Sequence, residues 1–316
     1  MKTIWLFPGQ GTQRVGMAKG LCAASPAAQA VFDAADAALG EPFSRLVFEG
    51  PSDELTLTAN AQPAILTASI AALEALREAA PSLPDPSFAA GHSLGEYSAL
   101  VACGALEFKT AVQLVRLRGE AMQRAVAPGV GSMAAVLGGE PADVEALCAD
   151  TRAELGPDVV LAPANFNAPG QIVIAGHVHA VSHAAQLAAT RRLKLMPLKV
   201  SAPFHCSLMG PAARAMERAL AEVQIGAPRF PVVHNVDASP NADPGRVAQL
   251  LVAQVDGPVR WHDSVTWMVA QGARRALEFG LGRVLTGLAK KSAPELLVES
   301  VSEPEHLQIA REFVAQ

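Results

Sequence analysis

The segment FAAGHSLGEYSAL, residues 88–100, constrains this chain more than any other, because a short apolar run, Gly91-x-Ser93-x-Gly95 and a helix-forming continuation follow one another without a gap. That order predicts a strand turning sharply into a helix. The residues two before and two after the serine have to be glycine, since a Cβ at either place would collide where the two elements nearly touch. Ser93 is then expected at the apex, with a strained backbone, an outward Oγ and the positive end of the next helix facing any negative charge that develops beside it. The amide of Leu94, the residue after the serine, is a candidate oxyanion donor. Glu96 falls in the first turn, where the helix dipole favours a carboxylate, and Tyr97, Leu100 and Val101 recur at helical spacing.

A chain of 316 residues, half of them hydrophobic, can bury a large core, as one large domain with a small insertion or as two ordinary domains. No run of 18 apolar residues suggests a membrane span, and MKTIWLFPGQ reads as a core strand and turn rather than a signal peptide, so a cytoplasmic protein is expected. The net charge of −5 is mild and spread out, with no basic cluster to hold nucleic acid. Cys22, Cys103, Cys148 and Cys206 lie far apart with no C-x-x-C pair, which fits reduced thiols better than disulfides or zinc. Cys206 follows His205 directly, and adjacent side chains point apart, which argues against a thiol nucleophile there.

Residues 3–7 read as an apolar strand, followed by Pro8-Gly9-Gln10-Gly11-Thr12-Gln13. This turn brings backbone close to a ligand, and Gln10 can offer an amide to an oxyanion or orient a substrate. It lacks the Lys-Ser/Thr ending of a phosphate loop. Helical patterns follow at about 16–39 and 62–80, the second opening at Asn60-Ala-Gln62-Pro63, where proline suits a helix start. Pro81, Pro84 and Pro86 end that helix and deliver the chain to the elbow strand. A further helix at 110–125 carries Arg116, Arg118 and Arg124 among its apolar positions; most such arginines form a solvated face, and Arg118 is the one singled out as a binding candidate.

From Gly131 the pattern is strand 132–137, helix 141–155, strand 159–166, a Pro169-Gly170 turn, strand 171–175, helix 178–190 and strand 193–200. This β-α-β-β-α-β order is ferredoxin-like, and 128–201 is read as a small domain inserted between 1–127 and 202–316, which form the large one. His177, His179 and His183 include one i, i+4 pair, but with no carboxylate evident nearby an exposed face is the expectation rather than a metal site. Directly after the insertion, SAPFHCSLM offers His205 on a proline-stiffened loop, with a helix beginning near Ser207, as the base for Ser93. Among the other histidines His92 is expected to orient the elbow, while His234 and His262 sit in strand-like runs, VVHNV and VRWHDSV, as core or edge residues.

Together FPGQGTQ at 7–13, GHSLGEYSAL at 91–100, RGEAMQ at 118–123, NFNAPGQIVIAG at 165–176, APFHCSLM at 202–209, LVAQVDGPVRW at 251–261 and LGRVLTGL at 281–288 closely resemble the malonyl-CoA:acyl-carrier-protein transacylases of fatty-acid and polyketide synthesis. The resemblance runs from end to end and in order. It implies an α/β fold, an α/β-hydrolase-like large domain with a parallel sheet and a nucleophile elbow, plus the inserted ferredoxin-like domain. It further implies that Ser93 is acylated, that His205 is the base and that Gln10 and the Leu94 amide form the oxyanion hole. Arg118 would hold the malonyl carboxylate as a bidentate pair. A backbone carbonyl near Gln254 would orient the histidine in place of a triad acid. Asn165 and Asn167, on a strand and turn of the small domain, would face the cleft, with His92 and Phe204 also against the substrate.

The implied partners are a coenzyme A thioester and a phosphopantetheinylated acyl carrier protein, served by a monomer through ping-pong transfer with no metal or bound cofactor. Two positions depart from the family. Phe204 stands where many housekeeping transacylases have serine, and phenylalanine there is familiar in malonyl-selective polyketide acyltransferases, so the pathway stays open. Leu281 replaces a usual proline and reads as loop variation. A trans-acting polyketide acyltransferase with another acyl preference and a serine thioesterase are the alternatives, although a carboxylate-binding arginine is an odd feature for a hydrolase of simple acyl groups. A docking protein would not need Ser93, His205, Gln10 and Arg118 together.

Overall fold

Apolar runs such as those at 4–7 and 88–90 make the centre of the main sheet, as expected where helices cover both faces. In the computed structural model, which describes residues 2–315, β1 (Lys2–Phe7) is central and β2 (Phe88–Gly91), β9 (Ala273–Phe279) and β10 (Leu297–Val301) run parallel with it; β7 (Val232–Val233) continues the parallel set and β8 (Pro240–Asn241) closes one edge antiparallel. The order is β10-β9-β1-β2-β7-β8. Side chains alternate across a strand, so β1 feeds two cores. Trp5 and Phe7 join the larger one with Phe32, Leu66 and Tyr97, while Ile4 and Leu6 meet Trp261, Met268 and Leu285 on the opposite face.

The second sheet comprises β3 (Gly131–Leu137), β4 (Leu161–Ala168), β5 (Gln171–His177) and β6 (Lys194–Pro197), ordered β4-β5-β3-β6 with every neighbour antiparallel. Its connecting helices, Pro141–Leu155 and Val178–Thr190, fall at the expected bounds. They bury Val144, Leu147, Val181 and Ala184 against Val136, Ile172 and Ile174 in a separate core. β6 is shorter than anticipated, and Leu198 and Val200 beyond it line a cavity instead of extending the ladder. The small sheet is stitched to the segment between the helices Pro244–Asp256 and Trp261–Ala270: Phe166 N–H donates to the Val259 carbonyl and Val259 N–H to the Ala164 carbonyl, both at 2.8 Å.

Three sequence expectations need correction. The helix expected over 16–39 is broken at Ser25, where the serine Oγ accepts the Ala28 N–H at 3.1 Å and Pro26 starts a second helix, Pro26–Leu39, after Lys19–Ala24. The helix read as opening at Asn60 begins at Thr58 and runs to Ala79 with Pro63 inside it. Pro63 lies in its second turn, and the turn before it is held by the N–H groups of Asn60 and Ala61 on the Leu57 carbonyl, each at 2.8 Å. Burial of that helix on nearly all sides outweighs the donor that proline lacks. His262 lies in a helix, Trp261–Ala270, because Trp261, Val265 and Met268 supply a buried face at helical rather than alternating spacing. Among the described residues, no helix is long and apolar enough to cross a membrane.

Candidate active site

The turn at Ser93 has the geometry its glycines dictate. A Cβ at Gly91 would fall on the Gly95 backbone, and one at Gly95 on the Phe7 carbonyl of the neighbouring strand. Ser93 has φ 52°, a left-handed conformation costly for serine, and side chains from elsewhere in the fold hold it there. Its N–H donates to Asn235 Oδ1 at 2.7 Å, and its carbonyl accepts from Gln254 Nε2 at 2.9 Å. Asn235 Nδ2 also donates to the Gly91 carbonyl at 2.8 Å, so one amide spans the turn.

His205, on the loop after β6, meets this serine with Nε2 2.7 Å from Oγ. Its backbone is also left-handed, φ 60°. Nδ1 faces two acceptors, the Gln254 carbonyl at 2.9 Å and the Gly257 carbonyl at 3.2 Å, so Nδ1 carries the proton and Nε2 is left as the acceptor toward serine. Burial lowers the imidazole pKa to about 3, helped by the positive charge of Arg118 and opposed by the two carbonyls. The ring is therefore neutral at ordinary pH, the form a general base requires.

Arg118, 1% exposed on the helix Phe108–Arg124, points at the same hydroxyl. Nη2 donates to Ser93 Oγ at 3.1 Å and to Gln254 Oε1 at 2.8 Å, and Nη1 donates to Gln62 Oε1 at 2.8 Å. Its Nε is buried without a partner, and among the described residues no carboxylate forms an ion pair with it. Arg116 and Arg124, on the same helix, pair instead with Glu41 and Glu120.

The Gln10 side-chain amide donates to Thr58 Oγ1 at 3.2 Å, and its backbone N–H is a further donor beside the elbow. Among the described residues neither that N–H nor the one of Leu94 has a partner. Gly9 packs so tightly on the elbow that a Cβ there would strike the His92 carbonyl, which brings the two loops together.

A cavity of about 550 Å³ opens over these groups between the two sheets. Asn165 and Asn167, both on β4, face it; Asn167 Oδ1 accepts from His92 Nε2 at 2.8 Å, and the His92 ring tilts over Trp261 at 5.6 Å. Phe204 lines the cavity while also packing into the larger core.

Sequence reasoning missed Glu96 as more than a helix-dipole carboxylate. It is fully buried, with Oε1 2.6 Å from His234 Nδ1 and Oε2 accepting from Asn235 N–H at 2.9 Å and Gln254 Nε2 at 3.0 Å. Gln62, which grips Arg118, was also passed over. One signal was available: His234-Asn235 places two polar residues straight after a buried parallel strand, where functional groups collect in open α/β sheets.

The remaining candidates lie elsewhere. Cys206 is buried, its thiol donates to the Pro203 carbonyl at 3.1 Å and burial raises its pKa to about 11, which makes it a poor nucleophile. His183 does have a carboxylate beside it, Glu154 at 2.7 Å, brought by the preceding helix, while His177 Nδ1 accepts the Val160 N–H. Among the described residues no cluster of metal-ligating side chains forms.

Residues 4–291 match the model of the acyl transferase domain, and the chain belongs to that family. More particularly, it is 47% identical over 312 residues to the malonyl CoA-acyl carrier protein transacylase of Bacillus subtilis, covering 98% of this chain and 96% of that protein. The acyl-carrier-protein-S-malonyltransferase of Bartonella henselae superposes with a TM-score of 0.95 at 43% identity over the whole of both chains. A malonyl-transacylase solved in complex with a type II PKS acyl-carrier protein matches with a TM-score of 0.94 at 40% identity over 99% of each chain.

Proposed function

We propose that this chain transfers a malonyl group from malonyl-CoA to the phosphopantetheine thiol of an acyl carrier protein, in fatty-acid or polyketide synthesis. The observation that carries this reading is Arg118: a buried guanidinium in contact with the nucleophile, hydrogen-bonded to neutral groups and lacking a carboxylate of its own. A buried charge is costly unless paired, and an acyl group ending in a carboxylate supplies the pair at the reacting carbon.

In the first half-reaction His205 Nε2 takes the Ser93 proton as Oγ attacks the thioester carbonyl. The tetrahedral oxyanion is met by the N–H groups of Gln10 and Leu94; it collapses, the C–S bond breaks and coenzyme A leaves as its thiol with the proton from His205. In the second half-reaction the carrier thiol gives its proton to His205, its sulfur attacks the malonyl-serine ester, and Ser93 leaves with that proton restored. The backbone carbonyls of Gln254 and Gly257 hold the imidazole in the required tautomer. Each step uses only the chain's own groups, with no metal or redox cofactor. Asn165, Asn167 and His92 line the path of the pantetheine arm, and Phe204 forms the wall beside the acyl Cα.

The same reading treats 1–127 with 202–316 as an α/β-hydrolase-like catalytic unit and 128–201 as a ferredoxin-like insertion, in keeping with the two strand orders. The protein acts in the cytoplasm, where both substrates are made. Incubation with radiolabelled malonyl-CoA, followed by water or by holo carrier protein, is the test. Label on Ser93 that survives water and passes to the carrier supports transfer. Rapid loss to water means a hydrolase, and label persisting in Ser93→Ala, or located on Cys206, would overturn the assignment.

A further inference from the structure

One buried residue is bonded to the base, to the arginine and to the backbone of the nucleophile. Gln254 sits in the last turn of the helix Pro244–Asp256, fully enclosed. Its backbone carbonyl accepts from His205, and its side chain makes contacts of its own: Oε1 accepts from Arg118 Nη2 at 2.8 Å, and Nε2 donates to the Ser93 carbonyl at 2.9 Å and to Glu96 Oε2 at 3.0 Å. The direction of that amide is fixed by Glu96, whose carboxylate can only accept and therefore draws Nε2 toward itself, leaving Oε1 for the arginine. Glu96 is held in turn by His234 Nδ1 and the Asn235 N–H.

Arg118 thus has an anion one amide away rather than in direct contact. A carboxylate touching the guanidinium would occupy the donors that an acyl carboxylate needs. Gln254 instead transmits the electrostatic support of Glu96 while leaving Nε unengaged.

We propose that the Gln254 side chain, aligned by buried Glu96, is a positioning residue that sets acyl selectivity by fixing the Arg118 guanidinium relative to Ser93. The inference rests on Arg118 receiving the acyl carboxylate. It separates two jobs of one residue: the carbonyl serves the base and survives any substitution, whereas the side chain serves the carboxylate site and can be removed alone.

The test is kcat/KM for malonyl-CoA and acetyl-CoA, measured on the same preparations of wild type, Gln254→Met and Gln254→Asn. The first keeps the length but accepts no strong hydrogen bond; the second keeps an amide for Glu96 but falls short of Arg118. The ratio of two specificity constants is independent of the folded fraction, so partial misfolding does not obscure it. Loss of a hydrogen bond to a charged group predicts a malonyl-to-acetyl ratio lowered about tenfold or more in both variants. Parallel loss on both thioesters, leaving the ratio within about twofold of wild type, overturns the inference and makes Gln254 a structural residue only. A wild type that takes no malonyl group overturns the transferase reading and this inference with it.

Discussion

Arg118 donates to the Ser93 hydroxyl oxygen at 3.1 Å, so a buried guanidinium and the elbow hydroxyl are in direct contact. This proximity suits an acyl group whose carboxylate lies one methylene from the thioester carbonyl. Arg118→Ala is expected to cut malonyl kcat/KM by about 2–5 kcal/mol, roughly 30- to 5000-fold, with acetyl transfer much less affected. Arg118→Lys should not restore it, since an ammonium lacks the planar fork and cannot span Gln62, Gln254 and Ser93 at once. Steady-state kinetics on both thioesters decide, and an unchanged malonyl preference in Arg118→Ala would move the carboxylate site elsewhere.

His205 is depressed from 6.5 to about 3, which gives a pH signature. Serine acylation should stay level as pH falls through 6.5, because the imidazole remains unprotonated there. Stability behaves differently: between about 3 and 6.5 the unfolded chain binds a proton that the folded site refuses, so this contribution is fully present above 6.5 and is lost as pH falls toward 3. Urea midpoints for His205→Ala should therefore depend less steeply on pH across that window than those of wild type. Stopped-flow acylation that drops tenfold between about pH 7 and 5.5 would contradict a base already neutral at those values.

Phe204 is 9% exposed, shared between cavity wall and core. Phe204→Ser should raise methylmalonyl relative to malonyl transfer, by up to the 1–3 kcal/mol, about 10- to 200-fold, that one methyl commands in an apolar pocket. Its core contacts predict a stability loss of about 3–5 kcal/mol as well. Competition between the two thioesters gives the ratio directly. If both fall together, Phe204 shapes only the His205 loop.

Asn235→Ala removes the acceptor of the Ser93 N–H and the donor to the Gly91 carbonyl. Leaving buried backbone groups unpaired costs about 1–3 kcal/mol each. The turn should relax away from its left-handed serine, with acylation lost beyond what thermal melting accounts for. Full activity in a destabilised variant would show that the glycines hold the turn unaided.

Much of this site was legible because its causes are local. The elbow follows from two positions where a Cβ collides with backbone, and the small sheet's helices carry proline or a change of period at their starts. What stayed hidden is set by tertiary approach. Nothing near Glu96 indicates that its carboxylate turns inward to His234 and Asn235, 138 and 139 residues on, or that Gln254 reaches back to Arg118 across 136. Nor does anything near Gln10 indicate that Thr58, distant in sequence, accepts from its side-chain amide. Pro63 misled in the opposite way, since its local cost is overcome by burial that only the assembled helices provide.

The backbone seam between β4 and Val259 bears on how such enzymes can be recombined. Val259 bonds to Ala164 and Phe166 on one side; next to it Arg260 N–H bonds to the Asn235 carbonyl at 2.9 Å, and two residues before it Gly257 faces His205. A chimera that exchanges the four-stranded segment between relatives would therefore import one lip of this seam without the other. Segments 164–166 and 257–260 have to travel as a matched pair, even though the chain separates them by some ninety positions, or the graft will misaim a histidine that it never replaced.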